Sequence, residues 1–428
     1  MKEKFIKSTI LLLIGGLITK VLGMIIKILI ARNFNEEVLG LYMIILPTFM
    51  LLINISQFGF PLALSKLISE NKRNNKQLFI SIIPIILIIN IFIIILILLL
   101  SKFISNNLLN NKDTYISIIS ISLVIPFTSI SSICRSYFFG KQQMLPHIIS
   151  NIVEDLTRLL LIILISPIII KLEIKYIVCI LILMNIISEL LSTIVLLLFI
   201  PKNIRITRND LTPNKNYIKE SLHIGIPNTT SRIIGSISYF LEPIILTNVL
   251  LKINYTKTFI LKEYGILQGY VLPLLLLPSF FTLAISQALL PVLSKEYISG
   301  NKINTKRKLI KGIIISLIIG IPSTIIILLK GDILLNLIYN TNKGINYLRI
   351  LAPFFILQYI EYPISISFDA INKSKINLYT TIISSIIRTT SLYVLSLLRI
   401  GIYGLIISII LNILVTTSYQ VYKLNKYL

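Results

Sequence analysis

The chain has 428 residues, 55% of them hydrophobic, with a mean hydropathy of +0.88, a formal net charge of +24 and a pI near 9.9. Apolar runs of about 20 residues recur along its whole length, which excludes a soluble globular domain and makes this an all-α polytopic membrane protein. Its basic residues lie mostly in short loops instead of on one soluble face, which excludes a nucleic-acid binder.

About twelve membrane spans are predicted, centred on residues 7–31, 38–60, 77–100, 114–139, 145–170, 174–200, 217–250, 264–294, 309–330, 344–371, 376–398 and 401–422. The first is too long for a signal-peptide core and has no small-residue cleavage site before a soluble domain, so it is expected to stay in the membrane. It contains Lys20 and Lys27 at hydrocarbon depth and Arg32 at its far end. A lysine at the middle of a membrane helix costs about 2.5–3.5 kcal/mol, so it normally faces a wet cavity or a counter-charge. Seven residues separate the two lysines, two helical turns, which puts them on one face.

With a cytoplasmic N-terminus, the loop cations divide about two-to-one in favour of the inside, which predicts both termini in the cytoplasm. Cys134 and Cys179 fall in apolar spans without CxxC spacing and read as buried small residues. His147 and His223 stand near cytoplasmic span ends and read as interfacial polar residues.

Residues 201–220, PKNIRITRNDLTPNKNYIKE, form the most polar long stretch and separate six spans from six. The predicted organisation is therefore an N-terminal six-helix lobe over 1–200, a cytoplasmic linker over 201–216 and a C-terminal six-helix lobe over 217–428. An even number of spans before the linker gives the halves the same orientation, a parallel repeat. Gly15, Lys20 and Gly23 match Pro227, Arg232 and Gly235; Gln57-x3-Pro61 matches Gln287-x3-Pro291; Pro126, Lys141 and Arg158 match Pro353, Lys373 and Arg388. Gly23, Pro61, Gly235 and Pro291 are the predicted hinge or gate positions, since such residues interrupt helix packing.

No GxxxxGK[ST], HExxH or Gly-rich phosphate loop is present, so no catalytic residues and no metal ligands are predicted. The candidate site is instead a cationic cavity of Lys20, Lys27 and Arg232 with Arg135 and Arg388, suited to an anion that arginine can grip through two oxygens. The competing reading pairs each cation with a buried acid. Glu154 and Asp155 stand one helical turn from Arg158, and that pair is expected to be structural. Glu242, Glu361, Asp369 and Glu189 are candidates for a coupling site or for counter-charges, with Glu242 serving either an ion or a lysine of the first half.

Several stretches carry a resemblance: Ile18-Thr19-Lys20-x-Leu22-Gly23, Glu36-Glu37-Val38-Leu39-Gly40-Leu41-Tyr42-Met43, Gln57-Phe58-Gly59-x-Pro61-x-Ala63-x-Ser65-Lys66-Leu67, Ser131-Ser132-x-x-Arg135-x-Tyr137-Phe138, Phe240-x-Glu242-Pro243 and Leu277-Pro278-Ser279-Phe280. They resemble the stage V sporulation protein B family of the multidrug/oligosaccharidyl-lipid/polysaccharide (MOP) exporters, relatives of the lipid II flippase MurJ. The resemblance implies two six-helix lobes in a V, alternating access, and export of an undecaprenyl-pyrophosphate-linked oligosaccharide or peptidoglycan precursor across the cytoplasmic membrane. It implies that Lys20 takes the place of a cavity arginine, with Lys27 one position from a second. Family members commonly add two helices after the twelfth, beyond where this chain reaches Leu428. The expected partners are the lipid-linked saccharide, membrane lipids and envelope-synthesis enzymes; no cofactor is expected beyond a coupling ion, H+ or Na+. Two other functions remain open at this point: a drug/cation antiporter of the same fold, and a membrane-embedded envelope glycosyltransferase.

Overall fold

The structure, a computed structural model, describes residues 2–70, 73–200 and 212–427. Most of the predicted linker, 201–211, lies outside the described residues. Helices dominate: α1 (Lys2–Asn33), α2 (Glu36–Gln57), α3 (Phe60–Ser69), α4 (Asn75–Phe103), α5 (Thr114–Gly140), α6 (Met144–Ile169), α7 (Ile174–Leu198), α8 (Lys215–Lys252), α9 (Lys257–Ile266), α10 (Leu272–Leu275), α11 (Leu277–Ile298), α12 (Lys302–Tyr339), α13 (Ile345–Ala370), α14 (Lys375–Ser396) and α15 (Tyr403–Tyr427). Ten stretches among the described residues are long and apolar enough to cross a membrane. Two further helices, α6 and α14, have the length for a span but carry ionisable side chains within it: Glu154, Asp155 and Arg158 on α6, Arg388 on α14.

Local chemistry sets the helix ends. Asn74 caps α4 by accepting from the backbone of Lys76 at 3.1 Å, and Thr256 caps α9 by accepting from Phe259 at 3.2 Å. The span predicted over 38–60 is α2, which ends where Phe58 (φ 46°) and Gly59 (φ 63°) adopt left-handed backbone, and Pro61 sits in the first turn of the short α3 that follows. The span predicted over 264–294 is interrupted by a π turn at Leu267–Val271 and the single turn of α10. The span predicted over 309–330 is the middle of the longer α12, which begins in the basic Lys302–Lys311 stretch and kinks at Lys330 (φ −126°, ψ 23°).

The chain divides into two compact units. One comprises Met1–Phe34 with Ile44–Ser236, the other Asn35–Met43 with Ile237–Leu428. The beginning of α2 thus belongs to the second unit and the beginning of α8 to the first. Inside the first unit α3 and α4 pack on α5, α5 and α6 on α7, and α1 on α6. Inside the second, α11 and α12 pack on α13, and α13 and α14 on α15. The pairings among α3–α7 recur among α11–α15, whereas the packing of α1 on α6 has no matching packing of α8 on α14 among the principal helix contacts of the described residues.

Cores are built from large aliphatic and aromatic groups, Phe60, Leu64, Leu78, Ile82 and Ile133 in the first unit and Ile364, Phe368 and Ile376 in the second. Small polar residues line other contacts: Ser129 donates to Asn90 Oδ1 at 3.2 Å and approaches Ser56 at 3.3 Å. Such groups allow close helix approach and replace the water that a bilayer lacks. Ile88, Ile91, Phe92 and Leu99 on α4 are exposed, the arrangement that a hydrocarbon solvent stabilises.

Loop ion pairs agree with the predicted alternation of sides. Lys343 meets Glu36 at 2.8 Å and Lys262 meets Glu37 at 3.1 Å, all four at predicted outer ends. Arg73 meets Glu220 at 2.6 Å and Lys308 meets Glu296 at 2.6 Å, all four at predicted inner ends.

Candidate functional site

The first helix rests on α6, where a methyl group at Gly15 would lie 2.5 Å from Ile148. Its remaining surface carries Lys20 and Lys27, both accessible and without an ion pair among the described residues. Arg232, on α8, is also exposed and donates to Gln57 Oε1 at 3.3 Å. One turn on, Asn54 donates to Ser236 Oγ at 2.7 Å. Asn54 and Gln57 thus form a polar seam with Arg232 and Ser236, and they were not among the residues predicted for the site. Their signal in the sequence is two amides three apart on an otherwise apolar helix. Lys20, Lys27 and Arg232 all belong to the first unit, in which α1 packs on α6.

Arg135 and Arg388 stand differently. Arg135, on α5, lies 2.5 Å from Glu154 of α6 and 2.7 Å from Glu189 of α7, with Ser131 at 2.7 Å and Ser192 at 3.0 Å. Arg158 meets Glu154 at 2.7 Å and Asp155 at 3.8 Å, the structural pairing its spacing predicted. Two guanidiniums and three carboxylates therefore join α5, α6 and α7. Removing either guanidinium from this set leaves carboxylates without their counter-charge.

In the second unit Arg388 of α14 pairs with Glu242 of α8. The Glu242 carboxylate, 2% exposed, accepts from Arg388 Nε at 2.7 Å and from its Nη2, from Gln268 Nε2 at 2.7 Å and from the Tyr264 hydroxyl at 3.1 Å. The Arg388 guanidinium lies 5.0 Å from the Tyr239 ring centroid. The counter-charge of Glu242 is thus an arginine of its own half, not a lysine of the other. Glu361 accepts from Gln358 at 2.7 Å and Asp369 from Asn377 at 3.1 Å. No three His, Cys, Asp or Glu side chains among the described residues are grouped to hold a metal ion.

Of the predicted hinge positions, Pro61 follows the break between α2 and α3, whereas Pro291 lies inside the unbroken α11. Gly23 lies within α1, where an added methyl group would meet nothing within 4 Å, and Gly235 within α8.

This architecture of long apolar helices in two units has known counterparts. A family profile described as polysaccharide biosynthesis protein matches residues 5–296. The chain belongs to that family. A second profile, MatE, matches residues 268–394. Stage V sporulation protein B of Bacillus subtilis (strain 168) is 29% identical over 438 aligned residues, covering 100% of this chain and 85% of that protein. Among solved structures, the lipid II flippase MurJ in an inward closed conformation aligns with a TM-score of 0.74 at 18% identity, covering 97% of this chain and 87% of MurJ. An inward-facing multidrug resistance MATE transporter of the MOP superfamily aligns with a TM-score of 0.65 at 18% identity, covering 94% and 92%. This member of the polysaccharide biosynthesis family is therefore a multi-pass membrane protein with the fold of the MOP transporters.

Proposed function

We propose that this protein is a flippase that exports an undecaprenyl-pyrophosphate-linked oligosaccharide or peptidoglycan precursor across the cytoplasmic membrane by alternating access, with both termini in the cytoplasm. The observation that carries the reading is the division among its deep cations. Arg135, Arg158 and Arg388 are paired with carboxylates of their own unit, while Lys20, Lys27 and Arg232 keep accessible charge without an acid among the described residues. An unneutralised cation at bilayer depth is costly, and an anionic head group offsets that cost while it is bound. Lys20 and Lys27 offer point charges to phosphate oxygens, and Arg232 offers a planar fork held by Gln57. Preference for one conformation need change by only a few kcal/mol on binding to drive exchange between inward and outward states. A part in sporulation is carried over from the Bacillus relative.

A drug/cation antiporter is the second reading, favoured by the MatE match and by Glu361, whose carboxylate accepts from an amide and has no cation beside it among the described residues. The test is outward exposure of undecaprenyl-linked precursors in cells carrying wild type, Lys20→Ala or Arg232→Ala. Loss of exposure in both variants at unchanged protein level is expected. Normal exposure in both overturns the anion-binding mechanism. Drug sensitivity on Glu361→Gln with normal envelope precursors favours the antiporter.

A further inference from the structure

At the end of the first unit that the charge bias assigns to the cytoplasm lies a pocket of about 580 Å3, walled by α3 and the start of α8. Its polar lining is Lys66, Glu70, Arg73, Lys219, Glu220 and His223. The walls are fixed to each other. A methyl group at Gly59 would overlap the Gly225 carbonyl oxygen, so the chain break before α3 sits directly on α8. Nearby, Gln77 Nε2 donates to the Thr212 carbonyl at 3.2 Å.

The pocket's charges are unevenly matched. Lys66 is one turn before Glu70 and Lys219 adjoins Glu220, so each lysine has an acid within easy reach. Yet both acids are taken by Arg73, through Nη1 to Glu70 at 2.7 Å and through Nε to Glu220 at 2.6 Å. Those hydrogen bonds, with Glu70 first, hold the Arg73 guanidinium above its ordinary value, so it remains charged. The Lys66, Lys219 and His223 side chains, all lining the pocket, are left without a hydrogen-bond or ion partner among the described residues. A merely solvated basic surface would not need an arginine that withdraws the local acids from the lysines.

We infer that this pocket is a phosphate or pyrophosphate subsite at the cytoplasmic end of the first unit, in which Lys66 and Lys219 hold the anion and His223 donates to it. The inference deepens the flippase reading and rests on it for the expectation that the phosphate is lipid-borne. Charge-assisted hydrogen bonds of this kind are the strong class, and a lysine ammonium meets phosphate as a point charge.

The experiment uses the full chain in nanodiscs. Two probes are titrated, undecaprenyl pyrophosphate incorporated in the disc and soluble inorganic pyrophosphate, against wild type, Lys66→Gln/Lys219→Gln and Lys426→Gln. Lys426 is an exposed lysine assigned to the same side but outside the pocket. The double variant is expected to bind about tenfold more weakly or worse, with Lys426→Gln unchanged. Loss confined to the lipid probe identifies a lipid head group as the ligand, and loss confined to the soluble probe identifies a free phosphate compound. Wild-type binding of both probes by the double variant, or equal weakening by Lys426→Gln, overturns the subsite. Each single lysine substitution serves should the pair fail to fold. If probe binding depends on Lys66 and Lys219 while cells show no precursor exposure by wild type, the flippase reading falls and the subsite stands.

Discussion

Substituting Arg388 by Gln tests the knot in the second unit most directly. Glu242 is 2% exposed and its carboxylate has four donors, of which Arg388 supplies two. Arg388→Gln strands that carboxylate with only Gln268 and Tyr264, and breaking a buried pair from one side costs about 3–5 kcal/mol. At 1.4 kcal/mol per tenfold, the unfolding equilibrium shifts by between roughly a hundredfold and a few thousandfold. Glu242→Gln strands Arg388 instead, less severely, because the Tyr239 ring at 5.0 Å still faces the guanidinium and the side chain is 13% exposed. The double variant carries no charge in the knot, so it should be more stable than Arg388→Gln alone, with a coupling energy of about 2–3 kcal/mol. The chain has no tryptophan, so unfolding in nanodiscs is best followed by far-ultraviolet circular dichroism across the four members of the cycle. Additive losses in the double variant, or a loss under about 1 kcal/mol in Arg388→Gln, would refute the pairing as the reason these residues are buried.

In the first unit, Arg135→Lys should lower the thermal midpoint nearly as far as Arg135→Gln, because one ammonium cannot replace a planar guanidinium set between Glu154 and Glu189; full stability of the lysine variant would contradict this. Gly40→Ala should destabilise by about 1–3 kcal/mol or more, because its methyl group would overlap the Leu261 carbonyl oxygen, whereas Gly23→Ala, with open space around it, should be neutral in the same melt. Lys343→Ala should change stability by no more than about 1 kcal/mol, since its pair with Glu36 leaves the lysine 56% exposed, and the effect should shrink in high salt.

Much of this protein was legible in the chain itself. Span existence and span order are written in local hydropathy, because a bilayer forces each backbone segment to satisfy its own hydrogen bonds. The Arg158–Glu154 contact was legible for the same reason, being a neighbour relation within one helix. Helix interruptions were less so: Gln57-x3-Pro61 and Gln287-x3-Pro291 read alike, yet the chain breaks at Phe58-Gly59 before the first proline and runs unbroken through the second.

What only the tertiary structure decided is which charges are spent on one another. Arg388 and Glu242 lie 146 positions apart, Arg135 and Glu189 54, and Arg73 and Glu220 147. No periodicity couples such residues. Their pairing is fixed by helix packing, which sets Arg135 and Arg388 against carboxylates and leaves Lys20, Lys27 and Arg232 accessible.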